Sequence, residues 1–163
     1  MTSLLPPEIA DIARRVVEEN TAANRTIVLA ESCTGGLVAS AITEIAGSSA
    51  VLDRSYVTYS NEAKQNDLGV PGDIIDAFGA VSVACAFEMA KGALERSGAD
   101  VAVAISGIAG PGGGTSLKPV GTVVFARAVR GEEPQADERL FEGEDRAGVR
   151  RQATLCALEL LLP

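Results

Sequence analysis

"ADVAVAIS", Ala99 to Ser106, decides the fold, because after Asp100 it runs through five consecutive apolar residues, Val101 to Ile105, without a polar break. A strand with one wet face alternates apolar and polar side chains, whereas a continuous run belongs to a strand covered on both faces. Helices must lie on either side of it, and the flanking sequence supplies them. Upstream, a helix capped by Ser82 runs to Arg96 and ends at Gly98. Downstream, "GIAGPGGGTSLKPVG", from Gly107, holds six glycines in fifteen residues and leads into a strand, "TVVFARAV" from Thr122. A shorter strand near "DERLFEG", from Asp137, then precedes a final helix from Arg146 to Leu162.

Farther upstream, Ile9, Ile12, Ala13, Val16 and Val17 recur at helical spacing between Pro7 and Asn20. "TIVLA" from Thr26 reads as a buried strand, Gly35 to Ala46 as a second helix, "SYVTYS" from Ser55 as a β-prone run, and "NEAKQNDL" from Asn61 as helical. Strands alternate with helices throughout, which gives one three-layer α/β/α domain over residues 1–163 with a mainly parallel or mixed central sheet. The last two strands follow each other closely enough to pair antiparallel. The order of the others is not legible in the sequence.

The 163 residues are 47% apolar and 4% aromatic, so the core is built from Ala, Val, Ile and Leu. The net charge of −8 comes with no lysine or arginine run, which excludes the electrostatic footprint of nucleic-acid binding. An anionic ligand would have to be met locally, by placed Arg or Lys side chains or helix N-termini. The start "MTSLLPPEIADIARR" lacks the basic and apolar segments of a signal peptide, and Gly and Pro interrupt the longer uncharged runs, so a cytoplasmic protein without membrane contact is expected. Cys33, Cys85 and Cys156 are odd in number and widely spaced, as suits reduced thiols. Histidine is absent, which removes Ser-His-Asp and Cys-His arrangements and the usual zinc sites. No metal or cofactor is expected, and acid–base chemistry falls to Lys, Tyr, Cys, Asp or Glu.

Three stretches carry candidate chemistry. In "LAESCTGGL", from Leu29, the residues Glu31, Ser32, Cys33 and Thr34 fall between a strand and a helix, where α/β proteins bind ligands. Gly35 and Gly36, in the expected first helical turn, remove Cβ atoms and open the backbone to close approach. The alternative is that Ser32 or Thr34 is an N-cap and the glycines serve tight helix–sheet packing. In "YVTYSNEAK", an N-cap at Ser60 makes Tyr59 and Lys64 the pair that touches in a hydrophobic staple. A lysine near a helix N-terminus is opposed by the dipole, which lowers its pKa. Neutralising an unperturbed lysine at pH 7 costs roughly 4.6 kcal/mol, which burial and this field would reduce, leaving a general base for a serine. The alternative is a solvated lysine beside two packing tyrosines, Tyr56 and Tyr59. The glycine-rich loop lacks Walker A spacing and fails G-x-G-x-x-G at its last glycine. Its N–H groups still suit an oxyanion or phosphate nest, with Lys118 in the same loop, or the loop binds nothing.

Taken together, "ESCTGGL" at Glu31, "VTYSNEAKQNDLGV" at Val57, "GAVSVACAFEMAKGA" at Gly79, "AISGIAGPGGGTSLKPVGTV" at Ala104 and "EDRAGVRRQATLCALELL" at Glu144 resemble the CinA carboxy-terminal domain family, the nicotinamide mononucleotide deamidases. They cover nearly the whole chain in order. The resemblance implies hydrolysis of the carboxamide of nicotinamide mononucleotide, a small nucleotide substrate, to the nicotinate nucleotide and ammonia. By that resemblance Ser32 is the nucleophile, Lys64 the general base and Tyr59 the supporting tyrosine, without histidine. Backbone amides of Cys33, Thr34, Gly35 and Gly36, with Ser106 or Gly107, are the implied oxyanion donors. Arg146 is the implied phosphate ligand, joined by Arg150, four residues on and so on the same helix face, or by Gly112 and Gly113 of the glycine-rich loop. An exposed charge pairing of these arginines near Glu142, Glu144 and Asp145 is the alternative.

The family often has threonine at Ser106 and aspartate at Gly113. Its domain is often fused behind a larger domain associated with pyrophosphatase activity; this chain starts with the family domain, so only deamidation is implied. A homo-oligomer is implied by family analogy alone. Two other readings compete: a Cys33-Glu31-Lys64 amidase, since a thiolate is the better intrinsic nucleophile, and a nucleotide-binding or interaction module without turnover.

Overall fold

A computed structural model of the chain describes residues 2–163. Its elements are α1 (Pro7–Ala22), β1 (Ile27–Glu31), α2 (Leu37–Thr43), β2 (Leu52–Val57), α3 (Asn61–Leu68), α4 (Gly72–Phe78), α5 (Val83–Arg96), β3 (Val101–Gly107), β4 (Thr122–Val129), β5 (Gln135–Leu140) and α6 (Arg146–Leu160), with a 3-10 turn, Ser48–Ala50, before β2. The strands form one mixed sheet in the order β2-β1-β3-β4-β5. β2, β1 and β3 run parallel, while β3–β4 and β4–β5 are antiparallel, the second as expected.

The apolar run is the central strand β3, with all of Val101 to Ser106 buried. Its two faces differ. Val101, Val103 and Ile105 join Leu29, Val38 and Phe125 beneath α1, α2 and α6. Ala102 and Ala104 join Val28, Ala30 and the Cys85, Ala86, Met89 and Ala90 side of α5. Gly92 lets α5 approach α3 closely: a Cβ there would stand 1.9 Å from the Leu68 carbonyl oxygen at the end of α3. Asp100, the polar residue beside the run, accepts from the N–H of Thr26 at 2.9 Å and its hydroxyl at 3.2 Å, tying β3 to the entry of β1.

The structure corrects three boundaries. α2 starts at Leu37 instead of Gly35 and stops at Thr43, because Gly35 and Gly36 hold φ of +58° and +100° and form a left-handed turn ahead of the helix. β2 covers Leu52–Val57 instead of Ser55–Ser60: it pairs with β1 up to Glu31↔Val57, and where β1 ends the ladder ends. Thr58 to Ser60 therefore leave the sheet and turn toward the site. α4 gave no periodic signal, since Ile75 is its one buried residue. β5 begins two residues earlier than the stretch from Asp137 and is an exposed edge strand. The caps at Ser60, accepting from Ala63 N–H, and Ser82, accepting from Cys85 N–H, are where the sequence puts them.

Candidate active site

At the carboxyl ends of β1 and β2 the chain makes two turns that face each other, Ser32–Gly36 and Thr58–Ser60. Glu31 organises the first. Its carboxylate is fully buried and takes five hydrogen bonds: Oε1 from the Thr34 hydroxyl (2.7 Å), Gly36 N–H (3.2 Å) and Val38 N–H (3.0 Å), and Oε2 from Ala39 N–H (3.1 Å) and the Ser55 hydroxyl (3.1 Å). Gly36, the N-cap position of α2, has no side chain to cap with, and Glu31 satisfies the free N–H groups in its place. This corrects the alternative in which Ser32 or Thr34 capped the helix. The glycines are required by conformation: a Cβ at either would meet only ordinary contacts, 3.5 Å at Gly35 and 3.7 Å at Gly36, but both positions lie in the left-handed region that other residues avoid.

The remaining N–H groups of this turn can be accounted for one by one. Ser32 donates to the Ile105 carbonyl, Gly35 to Ser32 and Leu37 to Thr34. The N–H groups of Cys33 and Thr34 have no acceptor among the described residues, although both residues are buried. Ser106, buried, follows Ile105 in β3. Gly107 lies under Cys33, where a Cβ would come within 3.0 Å of the Cys33 sulfur and 2.8 Å of Val123.

Lys64 is 1% exposed, on the inner side of α3. Its Nζ lies 3.0 Å from Ser32 Oγ, 2.8 Å from the Thr58 carbonyl and 3.3 Å from the Tyr59 carbonyl. None of the described ion pairs includes it. Burial pushes its pKa below the ordinary lysine value, against a smaller opposing influence of the Cys85 and Cys33 thiols. A neutral amine has two N–H groups and one lone pair. When the amine is neutral, its two N–H groups go to the carbonyls, which can only accept, and its lone pair turns to the Ser32 hydroxyl. The Thr58 hydroxyl is buried beside this arrangement with no partner among the described residues.

Tyr59 reaches Lys64 through its carbonyl and not its phenol. Tyr59 is 63% exposed, and its hydroxyl accepts from Arg146 Nη2 at 3.2 Å. The staple contact is thus absent, because Tyr59 lies past the end of β2 and its side chain turns outward. Arg146 also donates to the Gly110 carbonyl at 2.7 Å, bridging the second turn and the glycine-rich loop. Among the described residues it has no carboxylate partner, so the charge pairing near Glu142, Glu144 and Asp145 does not form; Asp145 instead caps α6 through Gly148 N–H. An open cleft of about 690 Å³ lies beside these residues, lined by Ala109, Pro111, Val120, Arg146 and Arg150 among others.

Arg150 is half-buried and donates from Nε to the Cys33 carbonyl (3.1 Å) and from Nη2 to the Thr34 carbonyl (3.4 Å). Gly112 and Gly113 are exposed and are not among the residues that line the cleft. Lys118 donates to the Phe78 carbonyl at 2.9 Å and to the Val81 carbonyl, so its amine ties the loop down. Cys33 makes no hydrogen bond to Lys64, and burial pushes its thiol up to about 11. The thiol is protonated at neutral pH, and Glu31 is committed to α2, which argues against the Cys33-Glu31-Lys64 arrangement.

Two contributors were not found in the sequence. The Thr58 carbonyl has no sequence signal, being backbone. Glu31 as a cap had one: a glycine at the N-cap position must borrow its acceptor from elsewhere.

Among the described residues no helix is long and apolar enough to cross a membrane, and no group of three or more His, Cys, Asp or Glu is placed to hold a metal ion. Comparison with known proteins places this geometry in context. Residues 9–163 match the family model described as the CinA C-terminal domain. The chain is 51% identical over 154 residues to the nicotinamide-nucleotide amidohydrolase PncC of Escherichia coli (strain K12), covering 94% of this chain and 93% of that protein. It is 48% identical over 159 residues to a CinA-like protein of Akkermansia muciniphila, covering 98% of this chain but 38% of that one, and it spans about a third of the length of such longer curated relatives. The crystal structure of the competence/damage inducible protein CihA from Agrobacterium tumefaciens superposes with a TM-score of 0.95 at 48% identity, over 98% of this chain and 97% of that one. With a family model spanning nearly its whole length, the chain belongs to the CinA C-terminal domain family.

Proposed function

We propose that this protein hydrolyses the carboxamide of nicotinamide mononucleotide to nicotinate mononucleotide and ammonia by acyl transfer through Ser32. The observation that carries the mechanism is the 3.0 Å approach of the buried Lys64 amine to Ser32 Oγ, with two carbonyls on its other sides and no carboxylate paired to it. The substrate follows from likeness to the amidohydrolase of Escherichia coli.

Lys64 takes the Ser32 proton as Oγ bonds to the carboxamide carbon. The oxygen of the tetrahedral intermediate, now negative, is met by the N–H groups of Cys33 and Thr34, the two left without acceptors. The C–N bond then breaks, the Lys64 ammonium gives its proton to the departing nitrogen, and ammonia leaves a Ser32 ester. Water, deprotonated by Lys64, attacks that ester; the C–Oγ bond breaks and the proton returns to Ser32. No step needs histidine. Tyr59 supports the base through its carbonyl and orients Arg146 through its hydroxyl, and Arg146, exposed beside the cleft, meets the substrate phosphate.

The test is ammonia release from nicotinamide mononucleotide by purified protein with no metal added, alongside Ser32→Ala. Release by the wild type and none by the variant is expected. A silent wild type rejects the substrate, and an active Ser32→Ala rejects the nucleophile. Nucleotide binding without turnover identifies a binding module instead. A Cys33→Ala variant that still turns over excludes the thiol, whereas its loss with an active Ser32→Ala reverses the assignment.

A further inference from the structure

We infer that Arg150 is a positioning residue that holds the oxyanion turn, not a ligand of the substrate phosphate. The inference rests on the reading of Ser32 as nucleophile. In a trans peptide the C=O and the following N–H point to opposite edges of one plane. Arg150 Nε pins the Cys33 carbonyl at 3.1 Å, which turns the Thr34 N–H of the same peptide to the side away from α6. Nη2 pins the next carbonyl, Thr34, at 3.4 Å, and that oxygen also accepts from Leu37 N–H. Glu31 holds the turn's later N–H groups while Arg150 holds its carbonyls, and the N–H groups of Cys33 and Thr34 are what remains unengaged.

Electrostatics act in the same direction. Among the described residues Arg150 has no carboxylate within ion-pair distance, so its charge falls on backbone carbonyls. A cation on a peptide oxygen polarises that peptide and makes its N–H a stronger donor to a developing oxyanion. Arg146, one turn earlier on α6, differs in kind. It is exposed, and its partners, the Tyr59 hydroxyl and the Gly110 carbonyl, belong to two separate loops that a phosphate can displace it from.

The experiment compares Arg150→Lys and Arg150→Met with Arg146→Ala, on nicotinamide mononucleotide and on its dephosphorylated riboside, with Ser32→Ala as control. Loss of the clamp lowers kcat about 10- to 100-fold on both substrates, since small displacements of reacting groups cost rate on this scale. The nucleotide-to-riboside ratio of kcat/KM stays within about twofold of wild type, whereas Arg146→Ala collapses it. A lysine cannot bridge two carbonyls as the guanidinium fork does, so Arg150→Lys tests the clamp even where Arg150→Met fails to fold. A raised KM with a collapsed ratio in the Arg150 variants, or an unchanged kcat, overturns the inference. An active Ser32→Ala rejects only the underlying nucleophile. Independently of turnover, amide hydrogen exchange over Ser32–Gly36 is expected to quicken at least about tenfold in Arg150→Lys; unchanged protection there refutes the clamp.

Discussion

Replacing Glu31 with glutamine exchanges one carboxylate oxygen for an NH2 group in a fully buried side chain, and the hydrogen bonds around it set the cost. The amide keeps one oxygen. Placed at the Oε1 position, that oxygen retains Thr34, Gly36 and Val38, and the NH2 group falls at Oε2, where the Ser55 hydroxyl can rotate to accept but Ala39 N–H cannot. The opposite orientation loses two backbone donors instead of one. Leaving the Ala39 N–H unsatisfied costs about 1 to 3 kcal/mol, and three bonds that lose charge assistance give up about 1 kcal/mol each. Relief of the desolvation of a buried carboxylate returns part of this, leaving a net destabilisation of about 2 to 3 kcal/mol. For a domain of this size that lowers Tm by about 4 to 12 °C. Urea unfolding measures it, with the midpoint falling at constant slope. A loss below about 0.5 kcal/mol, or a gain, means that the carboxylate does not anchor α2.

Four further outcomes follow from the same geometry. Burial holds the Lys64 pKa below its ordinary 10.5, so between the two values the unfolded chain binds a proton that the folded chain lacks, and stability rises with pH. Lys64→Met flattens that rise in the window just below the ordinary lysine value, and an identical slope in the two proteins refutes the lowered pKa. The rate of the wild type rises with pH through the same lowered pKa, and a rate that falls across that limb contradicts Lys64 as the base. Arg146→Ala raises KM for the nucleotide about 10- to 100-fold, the worth of a charge-assisted contact, with kcat within about threefold; equal losses on the riboside reject the phosphate role. Gly92→Ala drives a methyl against the Leu68 carbonyl, 1.9 Å from the ideal Cβ, and is expected to destabilise by about 2 kcal/mol or more in thermal unfolding, while a neutral effect refutes the close packing of α3 on α5.

Much was determined by local rules acting on the chain alone. The run from Val101 to Ile105 is apolar on both faces, which requires covered faces and hence three layers. Ser60 and Ser82 cap their helices because a hydroxyl at that position satisfies N–H groups within three residues. The absence of histidine left acid–base chemistry to Lys, Tyr, Cys, Asp or Glu, and the nearness of Lys64 to a helix start made it one candidate before any contact was known. These features depend on neighbours in sequence, and sequence carries them.

Tertiary structure decided what depends on distant partners. The strand order, and with it the seating of Ser32 between β2 and β3, follows from pairings across tens of residues that no local preference encodes. Tyr59 was placed against Lys64 by helix geometry, but β2 ends where β1 ends, and the ring turns out to Arg146, 87 residues away in sequence. Lys118 was available to a ligand on composition and is taken by carbonyls of the turn before α5. Arg146 and Arg150 share a helix face and a charge, and only their surroundings separate them, one facing solvent and the other the carbonyls of the turn after Ser32. A side chain's type sets what it can bond; the fold sets which partner lies within 3 Å, and that choice assigns its role.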